Sequence, residues 1–379
     1  MRKSRHVYVT GFTQEWRPVE PLYYADYLQL DRLLSSQGLE SAKQGEVVHD
    51  EMLFIIVHQA YELWFKQILW ELDEISNLFS QPTIDESEML RIVGHLDRIT
   101  EIQKLLIAQI DVLETMTPLD FLEFRDYLIP ASGFQSAQFR LIENRLGVRP
   151  QDRVRLAGAP YTTAFSEEDR GRVEAAEKQP NLFQLVDRWL ARTPFLEQGD
   201  FVFWDQYREA VHKVLDHDRM VIEKNPHLTN EEREEQLRSF DHTFDLFEAI
   251  FDPERHERLL ATGERRLSFT AFQAALFINL YRHEPALQEP FRLVTLLVDI
   301  DQGFTAWRYR HALMTVRMIG RRVGTGGSAG AAFLTRSAEK SRVFSDLVQL
   351  ATFMIPRSAL PELPPEVERR MRFRFEDEA

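Results

Sequence analysis

Apolar side chains recur at intervals of three and four residues along most of this chain, which is the spacing of one face of an α-helix. The clearest run lies between positions 51 and 78, where Phe54, Tyr61, Phe65 and Leu72 share a face. The same spacing predicts helices over 51–78, 89–113, 119–128, 134–146, 181–192, 204–223, 231–251, 268–281, 290–319 and 341–355. No run shows the alternation of a β-strand, so the pattern predicts an all-α fold in a large, bundle-like arrangement.

Breaks in the helical spacing predict where elements end. Gly147 is placed to close the helix that ends at position 146, and Thr229 with Glu232 forms the Thr-x-x-Glu pattern of a capping box. Residues 148–180 are polar, contain Gly and Pro and show little periodicity, so they are predicted to form a long loop. Residues 356–379 are predicted to form a charged C-terminal tail.

Composition narrows the class of protein. Of the 379 residues, 44% are hydrophobic and 28% are charged, as in soluble globular proteins. The formal net charge of −14 disfavours binding to nucleic acid or to an anionic membrane. There is no apolar run of about eighteen residues and no secretory signal pattern. The chain has no Cys, which excludes disulfides and thiolate metal sites. We therefore expect a cytoplasmic protein that binds neither nucleic acid nor membrane.

His311 is the first candidate for chemistry. It lies on an apolar helical stripe with Phe304, Trp307 and Met314, and a neutral imidazole in such surroundings suits an axial ligand of haem iron. The glycine-rich segment 324–330 follows, and its glycines would let backbone come close to a small ligand. That segment lacks the Gly-Lys-Ser/Thr ending of a phosphate-binding loop, so a nucleotide is not indicated. The alternative is a core histidine whose ring nitrogens bond to nearby backbone.

A second histidine, His58, lies on the apolar face of the 51–78 helix. Two such histidines on distant helices suggest facing sides of one pocket, while each taken alone also fits a core position. Arg308, Arg310 and Arg317 flank the first stripe and are candidates to pair with haem propionates. The residues alone favour a haem pocket without deciding between these readings.

A carboxylate-bridged di-iron centre is a further alternative, because such bundles use Glu-x-x-His spacings on two helices. Glu46 with His49 and Glu209 with His212 have this spacing. The abundance of acidic residues produces matches of this kind by chance. Glu46 and His49 also precede the clear helical run, which weakens this reading further.

Four longer blocks resemble the tryptophan 2,3-dioxygenase family, and they occur in the family's order over roughly residues 20 to 355. They are HDEMLFIIVHQAYELWFK (49–66), FRDYLIPASGFQS (124–136), FQAALFINLY (272–281) and WRYRHALMTVRMIG (307–320), the last running into the glycine segment. Blocks of this length are far more specific than a short motif.

The resemblance implies a haem enzyme that oxidises L-tryptophan with O2 to N-formyl-L-kynurenine, the first step of the kynurenine pathway. It implies an all-α homotetramer with one haem b per subunit, ferrous in the active form. It also implies that an N-terminal arm (1–30), with Tyr24, Tyr27 and Leu28, is exchanged between subunits and reaches a neighbour's pocket. The expected division of the chain is the arm 1–30, a haem-binding domain 31–355 with a loop excursion at 148–180 and additional helices at 225–290, and the tail 356–379.

The resemblance also implies roles for individual residues. His311 matches the proximal haem ligand, His58 matches the distal histidine that hydrogen-bonds the indole N–H, and Phe54 matches an aromatic wall of the indole pocket. Arg125 matches the arginine that binds the substrate carboxylate, a task suited to its planar, two-pronged guanidinium.

Two further matches concern residues near the substrate. Thr325 matches a loop threonine at the ammonium and carboxylate groups, and Ser132 matches a serine close to haem and substrate. Ala329, Ala331 and Phe121 depart from what many members carry, and these changes bear on substrate affinity more than on reaction type. A different haem enzyme acting on an indole and a non-catalytic haem sensor or helical scaffold are the competing functions.

Overall fold

The structure is a computed structural model that describes residues 21–153, 161–194, 197–198, 201–320, 322 and 331–372. Helices make up nearly all of its regular secondary structure, which confirms the predicted all-α class. In chain order they are α1 (Tyr24–Leu28), α2 (Leu30–Leu34), α3 (Glu40–Lys43), α4 (His49–Phe79), α5 (Glu86–Leu113), α6 (Pro118–Arg125), α7 (Ala137–Leu146), α8 (Glu167–Glu177), α9 (Leu182–Leu190), α10 (Phe203–Lys224), α11 (Asn230–Glu248), α12 (Pro253–Thr262), α13 (Phe269–Leu280), α14 (Pro285–Ile319), α15 (Ala331–Lys340), α16 (Ser345–Gln349) and α17 (Pro365–Met371).

Short elements join these helices. The 3-10 turns are Asp126–Leu128, Gly133–Gln135, Pro150–Asp152, Tyr161–Ala164, Leu350–Phe353 and Arg357–Ala359. Two antiparallel strands of two residues each, β1 (Glu197–Gln198) and β2 (Phe201–Val202), precede α10. The sequence did not predict them, because two residues are too few to show an alternation. Among the described residues, no helix is long and apolar enough to cross a lipid bilayer.

The core is built around the three longest helices, α4, α5 and α14, with α5 packed against both of the others. The apolar stripe predicted for α4 is buried, as are the matching stripes of its partners. The fully buried residues of this contact include Ile68, Leu72, Ile75, Ile92, Leu96, Ile99, Leu106, Leu293, Leu297 and Ile300. Burying each such side chain stabilises the fold by about 1.5–3 kcal/mol relative to leaving it exposed.

A polar contact also fixes α5 against α14. The buried Gln103 side-chain amide of α5 donates to the Ile300 carbonyl at 2.8 Å. Gly303 makes this approach possible, since a Cβ there would collide with the Gln103 side chain. Because α14 also carries His311, this contact helps to hold the candidate site in place.

The predicted caps are confirmed. Thr229 and Glu232 form a capping box at the start of α11. Gly147 ends α7 with a φ of 110°, a left-handed conformation that favours glycine. An added Cβ at Gly147 would also lie 2.8 Å from Asn181 Oδ1.

Several predicted elements differ from the structure. The predicted tail 356–379 contains a packed helix, because α17 lies within it and buries Val367 and Met371. The 148–180 segment is not a loop throughout, because α8 lies within it and buries Val173. α8 is largely charged, so it has too few apolar residues to show the helical spacing in the sequence. The helix predicted for 341–355 is instead α16 followed by a 3-10 turn. α14 begins at Pro285 rather than at Pro290, and Pro290 lies inside the helix. Proline is favoured in the first turn of a helix, so the sequence offered two possible starting points.

Candidate active site

One cavity of about 250 Å³ lies between α4, α6, α7 and α14, closed by the turn at 132–136 and by α15. Its wall is mainly apolar and aromatic, and it contains five of the predicted site residues: Phe54, His58, Arg125, Ser132 and His311. These residues lie on four structural elements, α4, α6, the turn at 132–136 and α14. The fold therefore brings together the two histidines that spacing alone could not connect.

His311 lies in the last third of α14 and faces this cavity. Burial lowers the pKa of His311 to about 4, with a further contribution from nearby His58, so the ring is neutral at pH 7. The ring stacks on Trp307, four residues earlier, with centroids 5.5 Å apart and an interplanar angle of 12°. A neutral imidazole nitrogen in apolar surroundings suits an axial ligand of haem iron.

His58 lies on α4 and has a defined tautomer. Its Nδ1 lies 2.7 Å from the Phe54 carbonyl oxygen, which only accepts, so Nδ1 carries the proton and donates. Burial lowers the pKa of His58, although that hydrogen bond opposes the effect, and the ring is therefore neutral. In this tautomer Nε2 is an acceptor. His58 can thus accept a hydrogen bond from a ligand N–H.

Arg125 is the last residue of α6, whose start is fixed by Pro118 and a capping box from Thr117. Its side chain is mostly buried and its Nη1 lies 3.3 Å from the carboxylate of exposed Asp126. The guanidinium also lines the cavity, where it supplies a positive charge in a largely apolar wall. Such a group can bind a carboxylate in a bidentate manner.

Ser132 begins the 3-10 turn Gly133–Gln135. Its hydroxyl accepts from the Phe134 N–H at 3.4 Å, and the Gln135 side chain accepts from the Ser132 N–H at 3.2 Å. This reciprocal pair holds the turn that forms one edge of the cavity. Among the described residues, no acceptor lies in hydrogen-bond geometry to the Ser132 hydroxyl, so its proton can be donated to a ligand.

Phe54 and Phe121 line the cavity beside His58, and the buried Phe124 packs against both of them. The centroid of the Phe54 ring lies 4.1 Å from that of His58. It lies 5.7 Å from the ring centroid of Phe121 and 5.6 Å from that of Phe124. Phe121 and Phe124 meet edge to face at 5.4 Å. Flat apolar surfaces of this kind suit an aromatic ligand such as an indole.

A buried ionic cluster lies at another edge of the cavity and was missed by the sequence reasoning. Glu143, only 2% exposed, accepts from Arg140 and from Arg308, each at 2.8 Å, and Arg153 lies 3.9 Å away. Burial alone would raise the pKa of Glu143, but the three arginines lower it to about 2. Arg140 and Arg308 both line the cavity. The Arg-x-x-Glu spacing at 140 and 143 was the available signal.

Only one of the three arginines suggested for haem propionates lines the cavity. Arg308 does, whereas Arg310 pairs with Asp111 and Glu114, and Arg317 pairs with Glu114. These pairs join α14 to the end of α5 outside the cavity. The prediction was wrong for Arg310 and Arg317. They lie two and nine positions from Arg308, and both offsets place a side chain on the opposite side of α14 from Arg308.

A family model described as tryptophan 2,3-dioxygenase matches residues 15–354, almost the whole chain. The chain belongs to the tryptophan 2,3-dioxygenase family. A relative of that name from Bdellovibrio bacteriovorus is 49% identical over 355 residues, covering 94% of this chain and 99% of its own. Tryptophan 2,3-dioxygenase B of Danio rerio is 48% identical over 350 residues, covering 92% and 86%.

Similarity of this degree extends beyond animals and bacteria. The tryptophan 2,3-dioxygenase of Dictyostelium discoideum is 45% identical over 353 residues, which is 93% of this chain and 88% of the relative. The resemblance noted from the four sequence blocks is therefore confirmed.

Other residues expected from the family lie elsewhere or are not described. Tyr24 and Tyr27 of α1 are 73% and 70% exposed, and Leu28 is 40% exposed. None of the three lines the cavity of its own chain. Thr325 and the glycine segment 324–330 lie outside the described residues.

The di-iron alternative finds no support in the geometry. Glu46 and His49 are both exposed, and His49 is the first residue of α4. His212 Nε2 lies 2.7 Å from a carboxylate oxygen of Glu248, so this nitrogen is engaged by a side chain other than Glu209. Within the described ranges, no group of three or more His, Cys, Asp or Glu residues could hold a metal ion.

Proposed function

We propose that this chain inserts O2 across the indole C2–C3 bond of L-tryptophan to give N-formyl-L-kynurenine, the first step of tryptophan degradation by the kynurenine pathway. The observation that carries the proposal is the cavity in which His58, His311 and Arg125 meet. An apolar aromatic chamber with a few convergent polar groups is the usual form of a small-molecule site. Membership of the tryptophan 2,3-dioxygenase family supports the reaction type.

We propose that the cofactor is haem b, one per subunit and ferrous in the active form. The residues present fit it: His311 is neutral and faces the cavity, and aromatic side chains supply flat walls. Arg140 and Arg308 line the same cavity and would pair with the two propionates. Bound ferrous haem would supply the binding and activation of O2.

The protein's own contribution is to position the substrate. His58 would accept the indole N–H on Nε2, because Nδ1 already donates to backbone. Phe54 and Phe121 would cover the indole faces. Arg125 would bind the carboxylate, with Ser132 nearby. Holding two reacting groups in a fixed geometry removes much of the entropic barrier to their reaction.

We further propose a cytoplasmic homotetramer in which the N-terminal arm contributes to a neighbouring subunit. The exposure of Tyr24, Tyr27 and Leu28 supports this, because large apolar side chains grouped on one short helix suit a partner surface. Thr325 is proposed as a further contact to the amino-acid head group. The site would then be completed only in the oligomer.

Replacing Arg125 with alanine is expected to raise KM for L-tryptophan by about 10- to 150-fold, since a hydrogen bond to a charged group is worth about 1.5–3 kcal/mol. Steady-state kinetics measure this. Arg145→Ala is the matched control, because Arg145 pairs with Asp73 and does not line the cavity. Tryptamine, which lacks the carboxylate, should bind equally to Arg125→Ala and to the unchanged protein. An unchanged KM for L-tryptophan would remove Arg125 from the substrate site.

Replacing His58 with serine is expected to lower kcat/KM about 5- to 10-fold, the loss of one hydrogen bond worth about 1 kcal/mol. The effect should be mild because addition of O2 to the indole ring need not begin with removal of the N–H proton by a base. The kcat/KM values of the two proteins should also be compared with 1-methyltryptophan as substrate. It has no indole N–H to donate, so the loss caused by His58→Ser should disappear. A His58→Ser protein with full haem content and no activity would contradict this assignment.

The reaction type is tested with ¹⁸O2. Mass spectrometry of the product formed by ferrous protein from L-tryptophan should show two labelled oxygen atoms. One labelled atom would indicate a monooxygenase, and no product despite bound haem would indicate a sensor or another substrate.

A further inference from the structure

The His311 ring stacks on the ring of Trp307. The two residues are one helical turn apart on α14, and their rings are nearly parallel, with centroids 5.5 Å apart and an interplanar angle of 12°. Both rings line the cavity. Because a parallel ring restricts rotation of its neighbour, Trp307 limits the planes that the His311 imidazole can adopt.

Trp307 is itself held by rings from other helices. Tyr61 and Phe65 of α4 meet it edge on, with centroids 5.9 Å and 6.0 Å away, and Phe139 of α7 lies 5.1 Å away. A ring buttressed from two helices in this way has little freedom to turn. The position of Trp307 therefore depends on α4, the helix that also carries His58.

The buttress is anchored to a third helix. The Tyr61 hydroxyl donates to the Leu106 carbonyl of α5 at 2.8 Å, and burial raises the pKa of Tyr61 to about 12. The Trp307 N–H comes close enough to the Tyr61 hydroxyl to oppose that rise. It is nevertheless outside hydrogen-bond geometry for any acceptor among the described residues. Ring packing rather than a hydrogen bond thus holds the indole.

Histidines that bind metals usually donate their second ring N–H to a carboxylate or a backbone carbonyl, and that bond sets the ring plane. In the part of the chain that the structure describes, neither ring nitrogen of His311 has a protein hydrogen-bond partner. The nearby Thr315 hydroxyl donates to the His311 backbone carbonyl and not to the ring. The Trp307 stack is the contact that constrains the ring.

We propose that Trp307 is a positioning residue that fixes the plane of the His311 imidazole, and with it the rotation of that ring about its bond to iron. The inference rests on the proposed function, since it requires His311 to be the iron ligand. A flat ring at position 307 is needed for this role. An aliphatic side chain of adequate volume would fill the space without setting a plane.

The test compares Trp307→Phe, which keeps a flat ring, with Trp307→Leu, which does not. Phe304→Leu is the matched control, because Phe304 is buried one turn earlier on α14 and contacts Phe139. Each haem-reconstituted ferrous protein is examined by resonance Raman spectroscopy for the iron–histidine stretching band. The unfolding midpoint is measured beside it.

Trp307→Leu should shift or broaden the iron–histidine band, and Trp307→Phe should restore a single narrow band near the original frequency. Phe304→Leu should lower the unfolding midpoint without changing the band. Equal bands in all four proteins, or a broadened band in Phe304→Leu to the same degree as in Trp307→Leu, would overturn the inference.

A second measurement covers the case in which Trp307→Leu folds poorly. In the apoprotein, the ring current of Trp307 should move the His311 ring-proton resonances upfield, and Trp307→Phe should retain a smaller upfield shift. If the His311 ring protons of the unchanged apoprotein resonate at the positions of a histidine without a neighbouring aromatic ring, the inference is overturned. An iron–histidine band that survives His311→Ala would instead remove the proposed ligand, and this inference with it.

Discussion

His311→Ala is expected to lose stable haem binding and with it all tryptophan oxidation. The reason is that the neutral His311 imidazole lines the cavity and, among the described residues, neither of its ring nitrogens has a hydrogen-bond partner. The Nδ1 of His58, by contrast, already donates to the Phe54 carbonyl. Without an axial ligand, haem would be held only by its propionates and by apolar contacts. We expect haem transfer to excess apomyoglobin to be at least about 100-fold faster, the loss of about 3 kcal/mol of binding free energy.

His256→Gln is the control for this result. His256 is also buried, and its Nε2 bonds to the Leu267 carbonyl at 2.8 Å, away from the cavity. This variant should lose stability yet retain haem. Added imidazole should restore haem binding to His311→Ala by entering the space left by the side chain. Normal haem retention by His311→Ala, or an equal loss in both variants, would contradict the assignment.

Glu143→Gln is expected to lower the free energy of unfolding of the apoprotein by about 3–5 kcal/mol, because breaking a buried ion pair leaves uncompensated charge. The carboxylate is 2% exposed and accepts from Arg140 and Arg308 at 2.8 Å each. Glutamine keeps the shape but can accept from only one of them. Urea unfolding at pH 7 measures the difference. Glu177→Gln, which affects only the more exposed partner of Arg153, should cost less.

The same carboxylate makes stability depend on pH. Its pKa falls from 4.5 to about 2 on folding, which corresponds to about 3 kcal/mol. Because the folded pKa is the lower one, this stabilisation is fully present above pH 4.5 and is lost as the pH falls towards 2. The gap between the unchanged protein and Glu143→Gln should therefore be about 1.4 kcal/mol smaller at pH 3.5 than at pH 7. A gap independent of pH would show that Glu143 is not ionised in this cluster.

Much of the fold could be predicted because the long helices carry strong local signals. The stripe of α4 and the caps at Thr229 and Gly147 agree with the structure. Residues 148–180 were predicted as a loop, since most residues of α8 are charged and its buried Val173 gives too few apolar positions to show a helical spacing. The start of α14 could not be predicted, because Pro285 and Pro290 both suit the first turn of a helix and the spacing of apolar residues does not decide between them.

The site could be predicted only in part from spacing. His58 and His311 stand out because each lies on an apolar helix face, and the structure places both in one cavity. Arg125 and Ser132 have no such local signal and were identified through the family resemblance. The Arg-x-x-Glu spacing of Arg140 and Glu143 is a local signal for one pair of the ionic cluster. Arg308 lies 165 positions from Glu143, and no local pattern reveals that contact.

The most direct test of the central claim begins with anaerobic reduction of the haem-reconstituted protein. L-tryptophan and O2 are then added while the Soret band and the ultraviolet band of N-formylkynurenine are recorded together. The unchanged protein is expected to form product, and His311→Ala is expected neither to retain its Soret band nor to form product. A stable haem spectrum without product would contradict the proposed reaction, and failure to bind haem would contradict the assignment of the cavity.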